Sequence, residues 1–119
     1  MRDEQRDAAR RDLDKELRPY RVAGREKNPT QELLRRVRQV LGIPVAEIAQ
    51  KLGVNRSVIL RLEQSEARET ISVRALGRVA AAMGCRVVYA VIPKYGETLQ
   101  EVADRRKWTK LLKGGGTRD

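Results

Sequence analysis

The sequence predicts a mainly α fold: a small bundle of closely packed helices, one C-terminal β-strand and a closing helix. Three observations lead there. Apolar residues recur three and four apart through most of the chain, in stretches cut by Gly, Pro and capping residues. Phe is absent and aromatic residues make up only 3%, so the core must come from Leu, Val, Ile and Ala. That palette suits small packed helices and argues against a large β-sandwich. One stretch, residues 85–92, breaks the helical period and runs continuously apolar and β-branched. At 119 residues the chain is long enough for one small domain with tails.

The elements follow in order. Residues 3–18 predict a charged helix in which Ala9, Leu13 and Leu17 recur every four residues, with Asp7/Arg11, Arg10/Asp14 and Asp14/Arg18 as i, i+4 pairs. Pro19 is expected to end it near Arg18. Its apolar stripe is too thin to hold a helix alone, so it is expected to dock on the domain or on a second chain. The segment PYRVAGREKNP (19–29) reads as a linker, which gives residues 1–29 as a charged helix and linker.

Residues 30–84 form the predicted central domain. Thr30 is placed to cap a helix whose buried face is Leu33, Leu34, Val37, Val40 and Leu41, closed by Gly42. Pro44 opens a second helix through Val45, Ile48, Ala49 and Leu52. Gly53 and Val54 follow, then Asn55 as the cap of a third helix with Val58, Ile59 and Leu62 inside. Ser72 caps a fourth, with Val73, Leu76, Val79, Ala80 and Met83 inside and Gly84 at its end. CRVVYAVI (85–92), stopped by Pro93, reads as a strand buried on both faces, and a helix from about Glu97 to Leu112 follows. Residues 85–113 are therefore assigned to dimerisation and 114–119 to a disordered tail.

Composition excludes several classes of function. With no histidine there is no Ser-His-Asp or Cys-His nucleophile and no imidazole base; with one cysteine besides, no structural zinc site. No enzyme, cofactor or metal is expected. Cys85 alone cannot form an internal disulfide, which fits a reducing cytoplasm. MRDEQRDAARRDLDKEL is almost all charge, so a secretory signal is not expected, and no apolar run approaches a membrane span. The net charge of +10 is spread along the chain and is not confined to a tail. Such a distribution suits a polyanion, above all nucleic acid.

Residues 48–64, IAQKLGVNRSVILRLEQ, hold the most informative pattern. A helix-turn-helix must fix its second helix at one angle to the first so that its side chains reach the major groove. Ala49 is small where the helices approach, Gly53 supplies the positive φ of a tight turn, and Val54 with Ile59 plugs the corner.

The run A-Q-K-L-G-V-N-R-S-V-I-L-R-L-E resembles the phage-repressor-like (Xre/Cro) helix-turn-helix family over about residues 33–83. The resemblance implies a phage-repressor-like helical bundle whose third helix enters the major groove. A wider resemblance, over about residues 13–108, is to the mobile mystery protein A family. It rests on LDKELRPYR, LRRVRQVLGIP and RLEQSEARETISVRALGRVAAAMGCRVVYAVIP. That family is typically encoded beside a Fic-domain partner, mobile mystery protein B. Carried over by position, Arg56, Ser57 and Arg61 become base readers. Asn55, Arg68, Thr70, Lys51, Arg35 and Arg36 become candidate contacts to the DNA backbone. Arg56 stands where the family often places Gln, and can give two hydrogen bonds to guanine. Leu60 stands where a small polar residue is common. Pro44-Val45 replaces a common Ser-Gln, a pair that caps the helix and touches the backbone; Val45 can do neither.

A lone strand leaves a row of backbone groups unpaired, so Val87, Val88, Tyr89, Val91 and Ile92 are expected to pair with their copies across a two-fold axis. The expected function is a dimeric, sequence-specific regulator of transcription that binds a palindromic operator in double-stranded DNA and represses its own operon. The alternative is an antitoxin-like protein that binds and restrains a Fic-domain partner, with DNA binding secondary.

Overall fold

A computed structural model describes residues 1–24 and 32–117, of which residues 114–117 are described in their backbone alone. Its elements are α1 (Asp3–Gly24), α2 (Leu33–Val40), α3 (Val45–Leu52), α4 (Arg56–Ala67), α5 (Val73–Ala82) and α6 (Leu99–Thr117). The chain divides into two compact units. One combines the two ends of the chain, α1 with the residues from Ala90 onward; the other holds α2 to α5 and ends at Tyr89.

In the central unit, α3 packs on α4 and α5, and α2 packs on the same two helices. Ile48, Ile59 and Val79 are fully buried at its centre, with Leu34, Ala49, Ala82 and Met83 around them. The apolar face predicted for the first of these helices is only partly correct: Leu34 is buried and Val37 half-buried, while Leu33, Val40 and Leu41 are exposed. Arg38 takes the remaining inward position because Glu63 of α4 is there to meet it.

Helix ends follow the expected chemistry in most places. The Ser72 hydroxyl accepts from the Ala75 amide at 3.0 Å. Gly53 sits at φ 66°, with Val54 N donating to Ala49 O at 3.0 Å and Gly53 N to Gln50 O at 3.2 Å, the paired bonds of a left-handed helix stop. Glu69 adopts the same conformation, φ 59°, at the end of α4. Helix α2 begins at Leu33 with Glu32 at the N-cap, and the Leu34 amide is satisfied by Glu66 Oε1 of α4 at 2.8 Å. The predicted cap Thr30 and the linker residues 25–29 lie outside the described residues.

Four expectations need correction. First, α1 runs through Pro19 to Gly24, so residues 19–24 are helix and not linker. A proline removes one ladder bond and normally kinks or ends a helix. Here the Arg21 guanidinium donates to the Asp14 carbonyl at 2.7 Å and lies 3.6 Å from its carboxylate, tying the turns on either side of the proline together. The predicted i, i+4 ion pairs are replaced by Asp3–Arg6 and Asp7–Arg10 at i, i+3 and by Asp14–Arg21.

Second, no strand occurs among the described residues. Residues 85–93 belong to no regular element, and Val88, Tyr89 and Val91 are 60–84% exposed. A strand needs a neighbour to complete its ladder, and the described chain has no second segment to provide one. Third, α1 packs on α6 within a single chain, and the boundary between the two units falls at Tyr89–Ala90, inside the predicted strand.

Fourth, α6 starts at Leu99 and extends to Thr117, through glycines expected in the tail; Arg118 and Asp119 lie outside the described residues. Its start is set by side chains. Thr98 and Glu101 form a capping box: Glu101 Oε1 accepts from the Thr98 amide at 3.0 Å, and Thr98 Oγ1 from the Glu101 amide at 3.1 Å. The two amides between them, Leu99 and Gln100, donate to the Asp14 carboxylate of α1 at 2.7 and 3.2 Å. The first turn of α6 is thus satisfied jointly by its own sequence and by a residue 85 positions earlier.

Candidate nucleic-acid interface

The two helices that flank Gly53 are held at a fixed angle by a small number of contacts. Ala49 is buried where α3 meets the bundle, and Ile48 and Ile59 reach the centre of the core from either side of the turn. Positive φ at Gly53 redirects the chain, and Asn55 then enters α4 in an extended conformation. Val54 does not plug the corner: it is exposed, and Ile59 alone does so. The turn needs the Gly53 conformation and the two hydrogen bonds around it, and neither requires the Val54 side chain to be inside.

Helix α4 carries two different faces. Inward are Ile59 and Glu63, with Leu62 and Glu66 partly buried beside them. Outward are Arg56, Ser57, Leu60, Arg61, Gln64 and Arg68, all exposed. At 3.6 residues per turn these positions form one continuous stripe. The stripe holds three arginines and no carboxylate, because both acidic residues of the helix are engaged elsewhere. Glu63 takes the Arg38 guanidinium through Oε2 at 2.6 Å and Oε1 at 3.1 Å, and Glu66 takes the Leu34 amide. That Glu63 pairing holds Arg38 above the ordinary arginine value, chiefly through the hydrogen bond and then through charge, with desolvation opposing. Among the described residues none forms an ion pair with Arg56, Arg61 or Arg68.

The predicted site residues therefore separate. Arg56, Ser57, Arg61 and Arg68 share the outward face of α4, with Asn55 at its N-terminus. The Asn55 side chain does not cap the helix, unlike that of Ser72, and its amide has no hydrogen bond among the described residues. Thr70 is exposed just past α4 and donates to Ser65 O at 3.3 Å. Lys51 is committed to α3 and α5, 3.5 Å from Glu47 and donating to Ala82 O at 3.1 Å. Arg35 pairs with Glu32 at 3.4 Å, and Arg36 is exposed on α2. Pro44 occupies the N-cap of α3 without a side-chain cap bond, as its chemistry requires.

Two groups were not singled out by sequence. Gln64 stands one turn beyond Leu60 and Arg61 on the same stripe, and its amide offers the donor and acceptor that adenine reading uses. Arg74 and Arg78 lie exposed one turn apart on α5, without ion pairs among the described residues. The 57–60–61–64 spacing signals the first; the 74–78 spacing signals the second.

Among the described residues there is no cluster of His, Cys, Asp and Glu able to hold a metal ion, and no helix long and apolar enough to cross a membrane. Compared with known proteins, the chain matches no family model, no curated protein and no solved structure.

Proposed function

We propose that this chain is a sequence-specific DNA-binding regulator of the phage-repressor-like helix-turn-helix class that also resembles the mobile mystery protein A family. The observation that carries the reading is the outward face of α4. It presents Arg56, Ser57, Arg61, Gln64 and Arg68 in one stripe, free of carboxylate, on a helix whose other face is locked into the core. Twelve residues make α4 about 18 Å long, a rod that the roughly 12 Å wide major groove admits. In this reading Arg56 and Gln64 are base readers, Arg61 reaches a base or a phosphate, and Arg68 with Asn55 and Thr70 fixes the helix on the backbone. Arg36 remains open to a phosphate; Lys51 and Arg35 are drawn away by their acidic neighbours.

Dimerisation belongs to the same proposal. The exposed apolar run Val88, Tyr89 and Val91, flanked by half-buried Val87 and Ile92, pairs with no strand among the described residues and supports pairing with a second copy. A two-fold pair would meet a palindromic operator, act in the cytoplasm and repress the neighbouring genes. The rival occupant of that run is a Fic-domain protein, in which case restraint of the partner becomes the main role.

The test is fluorescence anisotropy with duplex from upstream of the gene against a scrambled duplex, at two salt concentrations. A preference on the order of 10³-fold or more is expected. Arg56→Ala should cost about 1–3 kcal/mol on the preferred site and flatten selectivity at one base pair. Equal, steeply salt-dependent binding to both duplexes would overturn the regulator reading.

A further inference from the structure

The structure assigns a second contact with nucleic acid phosphates to the C-terminal half of α6, through the cationic row Arg106, Lys107 and Lys110. The inference rests on DNA being the partner, and it adds a site that neither the turn nor α4 supplies.

Charge distribution is the first observation. Residues 1–28 and 90–119 together carry 16 basic and 11 acidic side chains. Five of those basic residues, Arg105, Arg106, Lys107, Lys110 and Lys113, lie within residues 105–113, where there is no acid. Elsewhere in the unit the two signs balance, so its whole surplus of positive charge sits on nine consecutive helical residues. A surplus needed only for solubility would have no reason to gather there.

Geometry is the second. With 3.6 residues per turn, Arg106, Lys110 and Lys113 fall on one line of the helix and Lys107 beside it. Trp108, Leu111 and Leu112, 62–74% exposed, fall on the opposite side. Arg105 is turned toward Glu97 at 2.7 Å and the Tyr95 ring at 5.9 Å, whereas Arg106, Lys107 and Lys110 are exposed and make no ion pair among the described residues. The row from 106 to 110 spans about 6 Å at 1.5 Å per residue, about two intervals of 3.4 Å axial rise, which brings three phosphates of one strand within its length. A helix lying flat on lipid would place its apolar face down and its cations at the flanks. Here most of the cations point away from the apolar side, so one anionic surface cannot engage both faces. A duplex needs only the cationic one.

The test compares the full-length protein with R106Q/K107Q/K110Q on the scrambled duplex over a salt series. Each phosphate contact contributes about 0.9 to the slope of log K against log salt, so loss of all three should lower the slope by about 2.7. The change should be the same on the preferred and scrambled duplexes, leaving their affinity ratio intact. Circular dichroism confirms that helix content is retained, and K110Q alone, with an expected fall of about 0.9, serves if the triple variant loses structure. An unchanged slope overturns the inference. So does an unchanged slope accompanied by wild-type binding to phosphatidylserine vesicles that the triple variant loses; that result would assign the row to lipid. The two readings fail separately, because the regulator reading stands on the affinity ratio and this one on the slope.

Discussion

Glu63→Ala isolates the interaction that frees the outward face of α4 from acidic charge. In the wild type, Glu63 Oε2 and Oε1 accept from Arg38 Nε and Nη2 at 2.6 and 3.1 Å, and the two side chains are only 6% and 15% exposed. Truncation removes both charge-assisted bonds and leaves a guanidinium with little water to replace them. Breaking a buried pair from one side costs about 3–5 kcal/mol, and Arg38 at the margin of the core can turn partly outward, which places the expected loss at about 2–4 kcal/mol. Amide hydrogen exchange at Ile48 and Ile59 is the suitable assay, since both lie at the centre of the unit. Removing both partners as Arg38→Met with Glu63→Leu should recover much of the loss, because no uncompensated charge then remains. A drop below about 1 kcal/mol in Glu63→Ala would refute the assignment of this pair as a buried tie between α2 and α4.

Substitutions at three other positions probe the helix ends. Gly53→Ala should destabilise by about 1–2 kcal/mol in urea unfolding, purely from its positive φ, since no atom beyond the glycine and its two chain neighbours lies within 4 Å of an added Cβ. Glu69→Gly relieves the same conformation at the end of α4 and should raise stability by about 0.5–1 kcal/mol in the same assay. Asp14→Ala uncaps α6 and removes the carboxylate beside Arg21, whose bond to the main-chain carbonyl of residue 14 remains, with an expected cost of about 1–3 kcal/mol read from thermal unfolding by circular dichroism. Asp14→Asn, which keeps acceptor capacity, should cost less.

Much of the central unit was legible because its signals are local. Helix α3, the Gly53 turn, the Ser72 cap and the inward position of Ile59 each follow from a few neighbouring residues. What failed depended on residues far away or on competition between signals. Pro19 reads as a stop unless one knows that Arg21 reaches back to Asp14. The sequence places the start of α6 at about Glu97, two residues before Leu99, although T-L-Q-E at 98–101 is a readable capping box; the second cap, Asp14, lies where no local pattern can point to it. Residues 85–92 have strand composition but no pairing partner among the described residues, so composition alone does not make a strand. On α2, Arg38 at an inward position displaced the apolar pattern because its partner Glu63 is 25 residues away.

Whether the outward face of α4 meets DNA is read residue by residue in amide chemical-shift mapping during titration with the preferred duplex. The largest shifts should run from Asn55 to Arg68, strongest at Arg56, Ser57, Arg61 and Gln64, with a smaller set around Arg106 to Lys110. Shifts confined to other elements, with α4 unmoved at saturation, would contradict it.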